Sequence, residues 1–277
     1  MPTKPSRTPD HPARFSRVRR VLRYSAAGRG WRRLRDLGLG QLSLGFAALG
    51  FLTLVPLLVI VSSADPAGGR GFGQWLADGL GVSTASRREV EQLFTLPDQA
   101  LRTTTAFGIA ALAVFGLTFA AAVQAGYEKV WDLPQARWWA RWRHAVWLGA
   151  LTGYLFLSAT TTLPRESPVG ALAAALSAVA FFWWSQRLLL GGRVAWRALL
   201  PGAVATVIGL LGLRVFSLLV FSPLIASNTV TYGPVGTVLV LQSWLVGVGV
   251  VIFGGALFGR LVHEELPRLA QALRRRG

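Results

Sequence analysis

Arg214 is the residue of this sequence whose chemistry is hardest to explain by packing alone. It is the one charged residue between positions 198 and 259. A guanidinium binds phosphate or carboxylate groups through paired hydrogen bonds. If Arg214 faces an internal cavity, it is suited to hold the anionic group of a substrate. If it snorkels outward, or bonds the end carbonyls of a neighbouring helix, its role is structural.

Few other polar side chains lie within or at the ends of the apolar runs. Those that could line a substrate path with Arg214 are Gln124, Gln242, Ser243 and Tyr232, and Gln186 is a further amide of this kind. Such groups also hydrogen-bond neighbouring helices in membrane proteins. Both roles, lining a substrate path and packing neighbouring helices, are therefore compatible with these residues.

The spacing of the remaining reactive residue types does not predict an enzyme. The run His263-Glu264-Glu265 contains two types of metal ligand, but His11 and His144 are far away in the sequence and no HExxH-like spacing occurs. There is no cysteine and no Walker-type phosphate loop. No histidine and carboxylate are grouped with a nucleophile. We expect no catalytic residues, no metal site and no cofactor.

The distribution of charge predicts the elements that must position these residues. The 277-residue chain is 52% hydrophobic and only 15% charged, and its charges are separated by apolar runs long enough to cross a bilayer. We therefore expect an all-α integral membrane bundle of six transmembrane helices. The predicted spans are residues 39–61, 104–125, 145–163, 169–186, 198–221 and 235–258.

Positive charge predicts the orientation of this bundle. Twenty-three of the 29 lysines and arginines lie in the N-terminal part, the second and fourth loops and the C-terminal part. Since positive residues favour the cytoplasmic side, both termini are expected there. The predicted domains are a basic cytoplasmic tail (1–36), the transmembrane domain (37–262) and a second basic tail (263–277). The net charge of +17 then indicates anionic lipid head groups as partners rather than a specific nucleic acid.

Two further groups of residues shape the predicted bundle. Residues 62–102 mix both signs of charge with apolar positions, which favours short amphipathic helices in the first extracytoplasmic loop. Glycines and prolines in the spans predict close helix packing or hinges. They are Pro56, Pro201, Gly202, Gly233, Gly255 and Gly259. Pro201 is expected in the first turn of the fifth span, a common helix start.

Four segments resemble signatures of the YihY/BrkB family of bacterial inner-membrane proteins. They are residues 49–58 (LGFLTLVPLL), 125–131 (AGYEKVW), 196–203 (WRALLPGA) and 232–236 (YGPVG) followed by Trp244. The resemblance covers about residues 37–262 and implies six spans with cytoplasmic termini. The sequence departs from the family pattern at Leu257, where the family often has a glutamate. A role for that carboxylate therefore does not carry over.

The resemblance and Arg214 together favour one function over two alternatives. Members of the family are linked to envelope integrity, serum resistance or lipid export. We expect a non-enzymatic transporter or flippase-like exporter of an anionic or amphipathic envelope component in the bacterial cytoplasmic membrane. One alternative is a structural membrane protein that transports nothing. The other is a membrane-bound ribonuclease, since the family was once labelled ribonuclease BN.

Overall fold

The computed structural model describes residues 37–64, 108, 110–136, 141–160, 167–232 and 234–274. Its helices are α1 (Leu39–Ala64), α2 (Leu117–Val130), α3 (Arg141–Thr160), α4 (Pro168–Leu189), α5 (Trp196–Tyr232) and α6 (Pro234–Arg274). A π-helical turn, Leu112–Gly116, leads directly into α2. The described ranges contain no strand, so the all-α prediction is confirmed for them.

Three helical segments in the described ranges are long and apolar enough to cross a membrane. They are Pro168–Leu189 in α4, Trp196–Val220 in α5 and Val238–Glu265 in α6. In α1 the stretch Leu39–Leu54 is also apolar but is shorter than these three segments. These helices indicate a membrane protein, and the number of six spans stays a prediction.

Helices α5 and α6 form an antiparallel pair whose backbones touch. A Cβ atom added to Gly259 would lie 2.7 Å from the backbone N of Gly202, and one added to Gly255 would lie 2.3 Å from Oγ1 of Thr206. Thr206 keeps its hydroxyl satisfied by donating to the carbonyl of Gly202 at 2.9 Å. Small residues at this interface therefore permit an approach that any larger side chain would block.

An aromatic cluster joins α1 and α2 to α6. The ring centroid of Phe46 lies 5.0 Å from that of Phe119 and 6.0 Å from that of Phe253. Tyr127 makes an edge contact with Phe253 at 6.0 Å. Gly126 lets Phe253 approach, because an added Cβ would lie 2.2 Å from that ring. This packing places the C-terminal half of α2 against the middle of α6.

A short, tightly bonded turn connects α4 to α5. Gly191 and Gly192 have φ values of +64° and +76°, a left-handed conformation that glycine adopts without strain. Arg187 donates to the carbonyl of Gly192 at 2.6 Å and also to that of Val194. The indole N–H of Trp183 donates to the carbonyl of Trp196 at 2.7 Å. The turn therefore holds the residues between the glycines and α5 in a fixed position.

Several helices extend beyond the predicted spans. α5 continues through the polar residues 228–232, and α6 continues from Pro234 to Arg274 without a break. The prediction ended the sixth span at residue 258 because hydropathy falls there, yet polar residues sustain a helix as well as apolar ones do. Pro56 lies inside α1 and is buried. Pro201 lies in the second turn of α5, not the first, because the helix begins at Trp196.

Two predicted regions lie outside the residues that the structure describes. The basic tail 1–36 lies outside the described residues, as do the predicted amphipathic helices of 62–102 beyond Ala64.

Candidate functional site

A buried carboxylate, Glu128, organises the polar contacts at the C-terminal end of α2. Its side chain is 3% exposed. Oε1 accepts a hydrogen bond from Nε2 of Gln124 at 2.8 Å. The backbone N–H of Ala136 donates to Oε1 at 3.1 Å and to Oε2 at 3.2 Å. Arg193 completes the set with an ion pair to Oε1. Burying a carboxylate is costly unless it is paired in this way.

The chain of hydrogen bonds continues from Glu128 to α3. Oε1 of Gln124 lies 2.7 Å from Nε2 of His144. Because the amide already donates to Glu128, the imidazole is the donor in this second bond. Burial lowers the pKa of His144, and Arg141 acts in the same direction, whereas the Glu128 carboxylate opposes both. His144 therefore favours its neutral form and links α3 to α2.

Arg193 joins two parts of the chain that are distant in sequence. It belongs to the turn between α4 and α5, and it pairs with Glu128 of α2. It also donates to the carbonyl of Pro134 at 2.6 Å and, through Nε, to that of Leu190 at 2.9 Å. The segment after α2 and the α4–α5 turn are thus held together at one end of the bundle.

A second arginine, Arg260 of α6, contacts the same end of α2. Its Nη1 donates to the carbonyl of Val130 at 2.7 Å, one of the end carbonyls that a helix leaves unpaired. Its Nε donates to Glu264 at 2.7 Å. A weaker ion pair, at 3.7 Å, connects it to the exposed Asp132. Asp132 has a φ of +53°, the left-handed conformation typical of a helix C-terminus.

A pocket of about 270 Å³ lies between these two arginines. Its walls include Trp131, Leu133, Arg193, Arg260, His263 and Glu264. The described residues contain no group of three histidine, aspartate or glutamate side chains that could hold a metal. Hydrogen-bond donors outnumber acceptors in this pocket, which suits an anion better than a cation. We call it the α2–α6 pocket.

The structure places the predicted path residues at separate positions. Arg214 is exposed on α5, Ser243 is exposed on α6 and donates to the carbonyl of Leu239, and Gln242 is half-buried. Gln124 is buried beside Glu128. Among the described residues, no hydrogen bond or ion pair joins Arg214 to either glutamine. The side chain of Tyr232 lies outside the description, as does Gly233.

The packing residues lie where the helices approach most closely. Gly202, Gly255 and Gly259 form the contact between α5 and α6 described above. Gln186 is fully buried next to it, with its amide oxygen 3.4 Å from the position of a Cβ on Gly202. Within the described part of the chain its amide atoms have no hydrogen-bond partner.

The sequence did not single out the ion pair of Glu128 with Arg193 or the pocket beside it. Glu128 and Arg193 are 65 residues apart, so no spacing rule connects them. A signal did exist in α2: Glu128 follows Gln124 by four residues, a spacing that places both on one helix face. An acidic residue at the end of an apolar helix, in a chain this basic, is the feature that would have directed attention to it.

A family comparison covers nearly the whole chain. The sequence model of the Virulence factor BrkB family matches residues 30–276, a range that includes all six helices and both arginines of the pocket. No match was found among curated proteins or among solved structures. The family resemblance predicted from the four motifs is confirmed.

Proposed function

Because the chain belongs to the Virulence factor BrkB family, we propose that it exports an anionic, amphipathic component of the cell envelope. In this proposal the protein is a six-span component of the bacterial cytoplasmic membrane, with both termini in the cytoplasm and no enzymatic activity. Its membrane partners are anionic lipid head groups at the cytoplasmic face.

The observation that carries the proposal is the position of Arg214. It lies 18 residues after Trp196, which corresponds to about 27 Å along α5. The apolar side chains around it are exposed: Leu211 is 53% and Val215 57% exposed. Arg214 is exposed as well. A guanidinium on the outer face of an apolar helix costs free energy in lipid unless an anionic group meets it.

Transport of an anionic amphiphile explains why a cation lies at this position. The acyl chains of such a molecule remain in lipid while its head group moves along the protein, and a cation on that route lowers the cost of moving the charge. Arg214 lies at the middle of α5 but only six residues before Val220, where the apolar segment that starts at Trp196 ends. In this proposal Arg214 and the α2–α6 pocket meet a head group near opposite sides of the membrane.

The exposure of Arg214 also favours a second candidate, a structural membrane protein. In that case the guanidinium snorkels to the phosphates of surrounding lipids, and nothing is transported. The two candidates make opposite predictions for the same substitution.

The test is transport of a fluorescent anionic phospholipid in reconstituted vesicles. We expect Arg214→Ala to abolish transport and Arg214→Lys to retain part of it, because lysine keeps the charge but not the paired hydrogen bonds. Arg197→Ala is the matched control, since Arg197 is also an exposed arginine of α5 but lies at its first turn.

The amount of folded protein, measured by size-exclusion chromatography, should be equal for all variants. Transport by Arg214→Ala at the rate of the unsubstituted protein would show that the head-group role is wrong and would leave the structural candidate.

A further inference from the structure

We propose that the α2–α6 pocket binds the phosphate group of an anionic lipid head group at the cytoplasmic face. The inference rests on the proposed function, because it identifies where the head group of the exported molecule is held before it crosses. It adds a site that neither the sequence motifs nor the family match assigns. The observations that carry it are an unpartnered donor, two arginines with unused N–H groups, and the size of the pocket.

The unpartnered donor is the indole N–H of Trp131. This side chain lines the pocket and is only 9% exposed. Within the described part of the chain its Nε1 atom is buried and has no hydrogen-bond acceptor. Buried indole N–H groups usually have an acceptor. Since Trp131 is a pocket wall, we infer that a small rotation of the indole brings this N–H to a ligand oxygen in the pocket.

The two arginines provide further donors. A guanidinium has five N–H groups. Arg193 uses three of them, for Glu128 and the carbonyls of Pro134 and Leu190. Arg260 uses two, for Glu264 and the carbonyl of Val130. Each arginine therefore keeps at least two N–H groups for a ligand while its existing bonds hold it in place.

The acceptors of the pocket are mostly occupied. Glu264, the carboxylate in the pocket wall, is paired with Arg260, and Glu128, which lies behind Arg193, already accepts from Gln124, Ala136 and Arg193. A ligand that brings acceptors rather than donors is therefore preferred. Phosphate oxygens fit this requirement, and arginine binds them in a paired geometry.

The size and position of the pocket point to a head group. Its volume of about 270 Å³ far exceeds what a single water needs and is enough for a phosphate with a small polar substituent. One wall, formed by Arg260 and His263, belongs to the apolar segment Val238–Glu265 that can cross a membrane. The pocket thus lies at one end of that segment, where phosphate groups of a bilayer are found.

The test is lipid binding by the full-length protein in nanodiscs, followed by native mass spectrometry after release into detergent. Trp131→Phe removes the donor and keeps a smaller aromatic ring. Trp244→Phe is the matched control, because the indole N–H of Trp244 is likewise buried without a partner but Trp244 is not part of the pocket wall. We expect Trp131→Phe to weaken the binding of phosphatidylglycerol about tenfold and Trp244→Phe to leave it unchanged.

Further binding measurements identify the ligand, and a second variant tests the site if the first does not fold. Phosphatidylcholine should bind more weakly than phosphatidylglycerol, and free inorganic phosphate should compete only at high concentration. Because His263 is exposed, we expect His263→Ala to fold normally and to lower phosphatidylglycerol binding, which keeps the site testable if Trp131→Phe proves unstable.

Equal binding by Trp131→Phe, Trp244→Phe and the unsubstituted protein would overturn the site. Binding of free phosphate without binding of phosphatidylglycerol would overturn its assignment to a lipid. The transport proposal is judged separately, since Arg214→Ala should keep full binding at the pocket and lose transport.

Discussion

Substitution of Glu128 by glutamine removes the charge at the centre of the contacts around α2 while keeping the shape of the side chain. In the native protein the carboxylate is 3% exposed and accepts from Gln124, Ala136 and Arg193. Glutamine can accept through its one oxygen only, and its NH₂ group faces donors. Arg193 would then lose its anionic partner.

The magnitude follows from the burial of the two partners. Removing one member of a fully buried ion pair costs about 3–5 kcal/mol. The side chain of Arg193 is 28% exposed, so water relieves part of its lost pairing. We therefore expect Glu128→Gln to lower the free energy of unfolding by about 2–4 kcal/mol, allowing for this screening.

The measurement is unfolding in mixed micelles with a rising fraction of sodium dodecyl sulfate, followed by circular dichroism. Asp132→Asn is the control, because Asp132 also pairs with an arginine but is 86% exposed. Its cost should stay within about 0.5 kcal/mol. The double variant Glu128→Gln/Arg193→Gln should be more stable than the sum of the single effects predicts, by more than about 1 kcal/mol.

Two results would refute this reasoning. One is a stability of Glu128→Gln within about 0.5 kcal/mol of the native protein, which is the range of surface substitutions. The other is strict additivity of the double variant, which would mean that the two side chains do not depend on each other.

Two further predictions concern stability. Gly259→Ala should lower the free energy of unfolding by about 1–3 kcal/mol, because its Cβ would lie 2.7 Å from the backbone of Gly202. Gly254→Ala should leave stability unchanged or raise it, because nothing lies within 4 Å of its Cβ position. Equal losses of stability in thermal unfolding would contradict the backbone contact. His144, whose pKa is lowered from 6.5 by burial, binds protons less readily in the folded than in the unfolded state, so stability should fall as the pH drops below 6.5. His144→Gln should reduce this decline, and an unchanged slope between pH 7 and 5 would count against the assignment.

The helices were largely predictable from the sequence, and their ends were not. Ser167 and Pro168 mark the start of α4 one residue before the predicted span, where Ser167 accepts a capping hydrogen bond from Gly170 at 3.0 Å. The polar residues 228–232 suggested a loop, but they continue α5 up to Tyr232. Polarity reports where a helix leaves an apolar environment, whereas a helix ends where its backbone changes conformation.

The candidate site was less predictable, for a physical reason. Arg214 stands out in sequence because it interrupts an apolar run, and that contrast needs no knowledge of the fold. Glu128 and Arg193 each lie at or beside a helix end, where a charge is ordinary. Their importance comes from burial and from a contact between distant segments, and neither property is encoded in local spacing.

The distance in sequence between Glu128 and Arg193 has a consequence for synthesis of the protein. A ribosome adds about 5–20 residues per second, so the 65 residues between them take about 3–13 seconds to appear. During that interval α3 and α4 are made, while the arginine that pairs with Glu128 is still absent. Until then Glu128 has only the donors close to it in sequence, Gln124 and Ala136, and its ion pair can form only after α4 and its glycine turn have emerged. Assembly of this end of the bundle is therefore a late event in the biogenesis of the chain.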